Sequence, residues 1–119
     1  AAIDYLESLG WDNLLAHDQA MTTYGLERLC SVEGMTVYAD EGPRFSTFSF
    51  NLEGIHPFDL GQILDLEGIA IRTGHHCAQL LMRSLGLDST ARASCYLYNS
   101  LEDIDRLVEG IEGAKAMLL

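Results

Sequence analysis

Two adjacent histidines stand directly before a cysteine in the segment RTGHHCAQLL, residues 72–81. A cysteine attacks as its thiolate, which nearby positive charge and the N-terminus of a helix both favour. Cys77 lies at the predicted start of the helical segment AQLLMRSLG, and Arg72, His75 and His76 lie within five residues of it. These neighbours favour a reactive thiol at Cys77 over a buried, inert one, although free cysteines are often buried.

A zinc site is the other chemistry that histidine and cysteine suggest. A structural zinc ion needs four ligands, which usually come as two spaced pairs. His75, His76 and Cys77 are adjacent, so they cannot all point at one ion without strain. The other histidines and cysteines stand alone in the sequence: His17, Cys30, His56 and Cys95. The sequence therefore predicts no metal site.

A second candidate site residue is Arg92, in the alternating segment ARASCYLYN, residues 91–99. If this segment is a strand, Arg92 shares one face with Ser94, Tyr96 and Tyr98. A guanidinium group suits two-point recognition of a carboxylate. The alternative is an ordinary surface ion pair with one of the eighteen acidic residues, and the residues alone do not separate the two.

The composition limits the classes of partner. The 119 residues are 48% hydrophobic, enough for one core and one domain. Eighteen acidic against seven basic residues give a net charge of −11, which disfavours nucleic acids and anionic membranes as partners. No apolar stretch approaches the ~20 residues that span a bilayer. Three widely spaced cysteines favour free thiols in a reducing, cytoplasmic setting.

The elements that must position Cys77 and Arg92 follow from periodicity and turn residues. Helical spacing predicts two N-terminal helices, the second capped near Asp12, and helices over residues 56–68, 78–86 and 100–118. Short β-rich or alternating segments predict strands at residues 35–40, 44–54, 69–73 and 91–99. We therefore predict an α+β domain in which helices pack on a small mixed, mostly antiparallel sheet of about four strands.

Three segments together resemble the C-terminal domain of group II, SufS-like cysteine desulfurases, which are pyridoxal-phosphate (PLP) enzymes of the class V aminotransferase superfamily and of fold type I. They are RTGHHCAQ, ARASCYLYN and EDIDRLVEGI, and the resemblance covers nearly the whole chain. It implies that residues 1–119 form a single domain, the C-terminal fragment of a larger enzyme, without the large cofactor-binding domain. One departure is Leu80, where the family usually has proline.

The resemblance also implies residue roles. Cys77 takes the sulfur from L-cysteine and becomes a persulfide, while alanine is released. Arg92 binds the substrate carboxylate, Arg72 is a weaker candidate for the same pocket, and His75 and His76 shape the loop. PLP belongs to the full-length enzyme. None is expected on this chain, whose only lysine, Lys115, lies outside any family motif.

The family's intact enzymes are homodimers that pass the persulfide to a carrier protein for iron–sulfur cluster assembly, so the same partners are expected for a full-length form. Two alternatives stay open. The enzyme could act on selenocysteine or be another class V lyase, or the chain could be a free-standing thiol or interaction module without catalysis of its own.

Overall fold

The computed structural model describes residues 1–39 and 41–119, which form five helices and one four-stranded sheet. In chain order the elements are α1 Ala2–Leu9, α2 Trp11–Cys30, β1 Met35–Val37, β2 Thr47–Leu52, α3 Pro57–Leu66, β3 Arg72–Gly74, α4 Gln79–Ser84, β4 Thr90–Ser94 and α5 Leu101–Leu118. The predicted α+β class with four strands is confirmed. No helix of the described residues is long and apolar enough to span a membrane.

The strands lie in the order β1-β2-β4-β3, and all three pairings are antiparallel. Alternation along β2 separates the two faces of the sheet, because successive side chains of a strand point to opposite sides. Phe48 and Phe50 are buried and lie opposite Ala93 and Ala91 of β4. This face packs against α2, α3 and α5 to form the core.

Two glycines let helices approach their neighbours closely. A side chain at Gly25 of α2 would enter the ring of Phe48, and one at Gly110 of α5 would lie 2.7 Å from Leu64 Cδ2 of α3. Because both positions are helical, glycine weakens the helix itself. Its presence is explained by the packing that it permits.

Several element boundaries differ from the sequence expectations. Helix α2 begins at Trp11 after Gly10, which has a φ of +89°, so Asp12 lies in the first turn and is not the cap. Strand β3 begins only at Arg72, because the Ile69 N–H donates to the Leu64 carbonyl at the end of α3. The predicted strand at residues 35–40 ends at Val37, and Asp40 lies outside the described residues.

The last strand is also shorter than predicted. Strand β4 ends at Ser94, so Tyr96 and Tyr98 do not share a strand face with Arg92. Tyr96 instead packs edge-on against Tyr98, and its N–H donates to Asn99 Oδ1 at 2.9 Å. Asn99 thus closes the turn before α5.

Candidate active site

The face of the sheet opposite the core carries the two predicted substrate-binding arginines side by side. Antiparallel pairing of β3 with β4 places Arg72 directly opposite Arg92, and Ser49 of β2 lies opposite Arg92 on its other side. Like charges at directly opposite positions destabilise a sheet. An arrangement that is unfavourable for the fold alone becomes favourable when an anion binds between the two guanidinium groups.

Arg92 has no partner that would explain it as an ordinary surface residue. Its Nε is buried without a hydrogen-bond partner among the described residues. Within residues 1–39 and 41–119, neither Arg92 nor Arg72 forms an ion pair with a carboxylate. A buried donor without an acceptor is costly, about 1–3 kcal/mol. The surface ion pair that the sequence left open for Arg92 is therefore not found in the described part of the chain.

Cys77 is exposed in the loop between β3 and α4. His76 and Cys77 both have left-handed backbones, with φ of +53° and +58°. The Cys77 N–H donates to His75 Nδ1 at 3.1 Å, and the Ala78 N–H donates to the His75 carbonyl at 2.8 Å. The two bonds fold the loop back on His75, so the loop has a defined shape around an accessible thiol.

The helix after Cys77 is shorter than the sequence suggested. Helix α4 runs only over Gln79–Ser84, with Ala78 as its N-cap, so Cys77 lies one residue outside the cap. The exposed Leu80 occupies the second position of the helix and does not prevent it from forming. A helix of six residues has a weak dipole at its start, so α4 adds little positive potential at Cys77.

His76 connects the Cys77 loop to the two arginines. Its Nε2 lies 3.1 Å from the Thr90 carbonyl oxygen and 3.0 Å from Thr90 Oγ1. Partial burial lowers the pKa of His76 below 6.5, the Thr90 hydrogen bond opposes this, and repulsion from Arg92 and Arg72 lowers it further. The histidine is therefore held neutral near pH 7, close to both guanidinium groups.

The other two thiols lie in different surroundings. Cys30 is exposed at the end of α2, and Cys95 is half-buried beyond the end of β4. Burial raises the pKa of the Cys95 thiol, and Asp103 and Asp18 raise it further. Cys95 is thus disfavoured as a nucleophile. No group of three His, Cys, Asp or Glu side chains that could hold a metal ion occurs among the described residues.

The sequence did not identify Thr90 or Ser49 as parts of this site. Thr90 contacts His76, and Ser49 pairs with Arg92. Thr90 stands two residues before Arg92, and the period of two places it on the same side of β4. The strand pairing of Ser49 with Arg92 is a long-range contact, for which a single sequence carries no signal.

Residues 1–107 match the family model for aminotransferase class V. The chain belongs to the aminotransferase class V family. Among curated members, it is 50% identical over 115 residues to a probable cysteine desulfurase of Halalkalibacterium halodurans and 44% identical to one of Staphylococcus epidermidis. These matches cover 97% and 96% of the chain and 28% of each relative. The chain therefore spans little more than a quarter of the curated relatives' length.

Solved structures of class V aminotransferase-like enzymes share the fold. The cysteine desulfurase CsdA of Escherichia coli, in an S-sulfonic acid form, superposes with a TM-score of 0.80 at 31% identity, over 87% of this chain and 26% of that one. The apo cysteine desulfurase of Thermococcus onnurineus NA1 gives a TM-score of 0.78 at 36% identity, over 96% and 29% of the two chains. Both neighbours extend far beyond the matched region.

Class V aminotransferases generally depend on PLP, which an enzyme lysine holds covalently. The sole lysine does not fit that role. Lys115 Nζ donates to the Glu33 carbonyl at 2.9 Å and lies 3.5 Å from Glu112. Glu33 precedes β1, whereas Cys77 follows β3 at the opposite edge of the sheet. The chain's own residues therefore do not provide the amine next to Cys77 that the cofactor requires.

Proposed function

We propose that the chain is the C-terminal domain of a longer PLP-dependent cysteine desulfurase. The observation that carries this proposal is the pair Arg72 and Arg92, which lie side by side on the strands that frame the Cys77 loop and have no carboxylate partner among the described residues. A binding group for a carboxylate beside an exposed thiol fits an amino acid substrate that carries a transferable sulfur. The similar proteins are named cysteine desulfurases or probable cysteine desulfurases, which agrees with that chemistry.

Arg92 is assigned to the α-carboxylate of the substrate. It is half-buried, and its Nε has no acceptor among residues 1–39 and 41–119, so a substrate carboxylate would satisfy this buried donor. Arg72 is more exposed and lies across the β3–β4 pairing, where it adds positive charge. It is therefore the weaker contributor, and the two guanidinium groups together favour substrates that carry a carboxylate.

Cys77 is assigned as the sulfur acceptor. Its thiolate attacks the sulfur of bound L-cysteine, a sulfur–sulfur bond forms, and the carbon–sulfur bond of the substrate breaks. The electron pair of the broken bond stays with the substrate carbon, which takes up a proton and leaves as alanine. His75 and His76 hold the loop in shape. The product on the enzyme is a persulfide on Cys77.

The cofactor is proposed for the longer protein and not for these residues alone. PLP would supply the electron sink that makes the carbon–sulfur bond breakable. The 119-residue chain by itself is expected to bind no PLP and to release no sulfide. An absorbance scan after incubation with PLP and borohydride tests this, and a stable reduced adduct at Lys115 would contradict it.

The proposal extends to partners. A persulfide on an exposed loop is accessible to a second protein, so a sulfur-accepting carrier is proposed as the next partner, serving iron–sulfur cluster assembly. A homodimer is proposed for the longer enzyme. Three free cysteines, two of them exposed, fit a reducing compartment, and we propose the cytoplasm.

The decisive experiment uses the full-length enzyme loaded with PLP. After one turnover with L-cysteine, peptide mass mapping should find one added sulfur atom on Cys77 and one alanine released per site. Cys77→Ser should abolish both, whereas Cys30→Ser, which replaces another exposed cysteine, should preserve both. Selenocysteine in a parallel reaction distinguishes a desulfurase from a selenocysteine lyase. Sulfur on Cys30 or Cys95 in place of Cys77 would overturn the assignment.

A further inference from the structure

The backbone at the reactive loop is in a conformation that side chains with a Cβ rarely adopt. His76 and Cys77 are two successive residues with φ of +53° and +58°, and neither is glycine. Left-handed residues of this kind persist only where surrounding contacts impose them. Two adjacent ones beside a proposed nucleophile therefore call for a contact that holds them.

Thr90 supplies that contact. It is the first residue of β4, its exposed fraction is 0%, and both its oxygens lie about 3 Å from His76 Nε2. Thr90 also pairs with Gly74, the last residue of β3. The same buried residue thus fixes the strand that enters the loop and, through His76, the middle of the loop.

The contact also bears on which ring nitrogen of His76 carries the proton. Nε2 lies within hydrogen-bond distance of both Thr90 oxygens, and a carbonyl oxygen can only accept. A proton on Nε2 is therefore the arrangement that uses both contacts, whereas an unprotonated Nε2 could only accept from the hydroxyl. Burial, together with repulsion from Arg92 and Arg72, lowers the pKa of His76 and favours the neutral ring, which has only one N–H. In the Nε2–H form, the Nδ1 of His76 is unprotonated.

We propose that Thr90 is a positioning residue for Cys77, which acts through the Nε2–H tautomer of His76 to hold the left-handed turn that presents the thiol. The functional meaning of this role rests on the proposed function, since it concerns the thiol assigned as sulfur acceptor. The positioning of the Cys77 loop by Thr90 does not depend on the proposed function, and it can be tested in the 119-residue chain without substrate or cofactor.

The test measures alkylation of Cys77 by iodoacetamide, with Cys30 in the same molecule as the internal reference. Thr90→Val removes the hydroxyl while keeping the shape of the side chain, Thr90→Ser keeps the hydroxyl, and His76→Gln removes the ring. Thr90→Val and His76→Gln should each change the Cys77/Cys30 rate ratio by at least about twofold in the same direction. Thr90→Ser should leave the ratio near that of the parent.

The double variant Thr90→Val/His76→Gln provides the sharpest test, because residues that act through one contact do not add. Its rate ratio should equal that of His76→Gln, because the Thr90 hydroxyl acts on the loop only through the His76 ring. Ring nitrogen chemical shifts should show a protonated Nε2 and an unprotonated Nδ1 for His76 in the parent and also in Thr90→Val, because this variant keeps the carbonyl acceptor. Independent, additive effects of the two substitutions would overturn the proposal. If Thr90→Val failed to fold, a His76→Gln rate ratio equal to the parent's would overturn it without that variant. If the two substitutions are non-additive as proposed but the full-length parent enzyme forms no persulfide on Cys77, the result counts against the proposed function alone.

Discussion

The two faces of the small sheet differ in the side chains that they carry and in how those side chains are packed. On the core face, Phe48 and Phe50 alternate into a closely packed layer under α2, α3 and α5. On the opposite face, Arg72 and Arg92 lie side by side with no carboxylate partner among the described residues. The core face is arranged for stability, and the open face retains an arrangement that is unfavourable until an anion binds. Substitutions on the two faces should therefore change different measurable quantities.

The largest effect on folding should come from Phe50→Ala on the core face. Phe50 is fully buried, so the substitution removes its packing and leaves a cavity. We expect the free energy of unfolding to fall by about 3–5 kcal/mol. Ser49→Ala, one residue away on the open face, is the matched control and should change it by less than about 0.5 kcal/mol. Chemical denaturation measures both values. Equal losses of the free energy of unfolding in the two variants would contradict the proposed difference between the faces.

Arg92→Ala should show the reverse behaviour. One charge-assisted contact to a carboxylate contributes about 2–3 kcal/mol, so the apparent substrate constant of the full-length enzyme should rise roughly 30- to 150-fold. The stability of the fold should not fall in proportion, because the guanidinium has no partner among the described residues. Arg83→Ala, on exposed α4, is the control. Unchanged kinetics in Arg92→Ala would mean that Arg92 does not bind the substrate carboxylate.

Gly25→Ala tests how tightly the core face is packed. The added carbon would lie 2.8 Å from Phe48 Cε2, inside the distance that side chains tolerate. Although alanine is the better helix former, we expect a net loss of about 1–3 kcal/mol from overpacking. Gly113→Ala on α5, where the nearest atom is 3.8 Å away, is the control. A stabilised Gly25→Ala protein would show that the layer can shift.

Arg72→Gln should stabilise the chain slightly when no anion is bound. It removes one of two like charges at directly opposite positions, which are unfavourable by about 0.2–1 kcal/mol. The gain should shrink as salt is added, since exposed charges are screened. Thermal unfolding at low and high ionic strength measures both effects. A loss of stability would mean that Arg72 has a favourable partner in the fold.

The smallest effect concerns His76 and pH. Its pKa is lowered by burial first and then by the nearby arginines, so the folded chain binds fewer protons at this residue than the unfolded chain. The resulting stability is fully present above about pH 6.5 and is lost as the pH falls through the folded-state pKa. A proton NMR titration of the ring should give a midpoint below 6.5. A higher midpoint would contradict the proposed neutral tautomer.

Much of the core face could be predicted from the sequence, because it depends on local patterns. Period-two aromatics at Phe48 and Phe50, and Pro57 and Gly68 at the ends of α3, each indicate their structure within a few residues. The ends of β3 and β4 were predicted less well. Contacts from outside the strand shorten each one: the end of α3 engages Ile69, and the Asn99 turn engages Tyr96.

The open face shows the limit of prediction from one sequence. Cys77, His75 and His76 were identified because they are adjacent, and Arg92 was singled out by its strand pattern and by the resemblance. The pairing of Arg72 with Arg92 and the contact of His76 with Thr90 join residues 14 to 20 positions apart through the register of two strands. A shift of one residue in that register would place Arg72 on the core face, and the local sequence does not fix it.

The strand order β1-β2-β4-β3 has a consequence for how the chain acquires its reactive loop. Within the part of the chain that the structure describes, β4 is the only strand that pairs with β3, although β4 comes later in the chain. During synthesis, the Cys77 loop therefore cannot reach its final shape until β4, which ends at Ser94, has emerged and paired with β2. The surroundings of the Cys77 thiol therefore form late, because β4 inserts between β2 and β3, which both precede it in the chain. The three-residue β3 lies at the edge of the sheet, so it should be among the first parts of the protein to open and exchange its amide hydrogens.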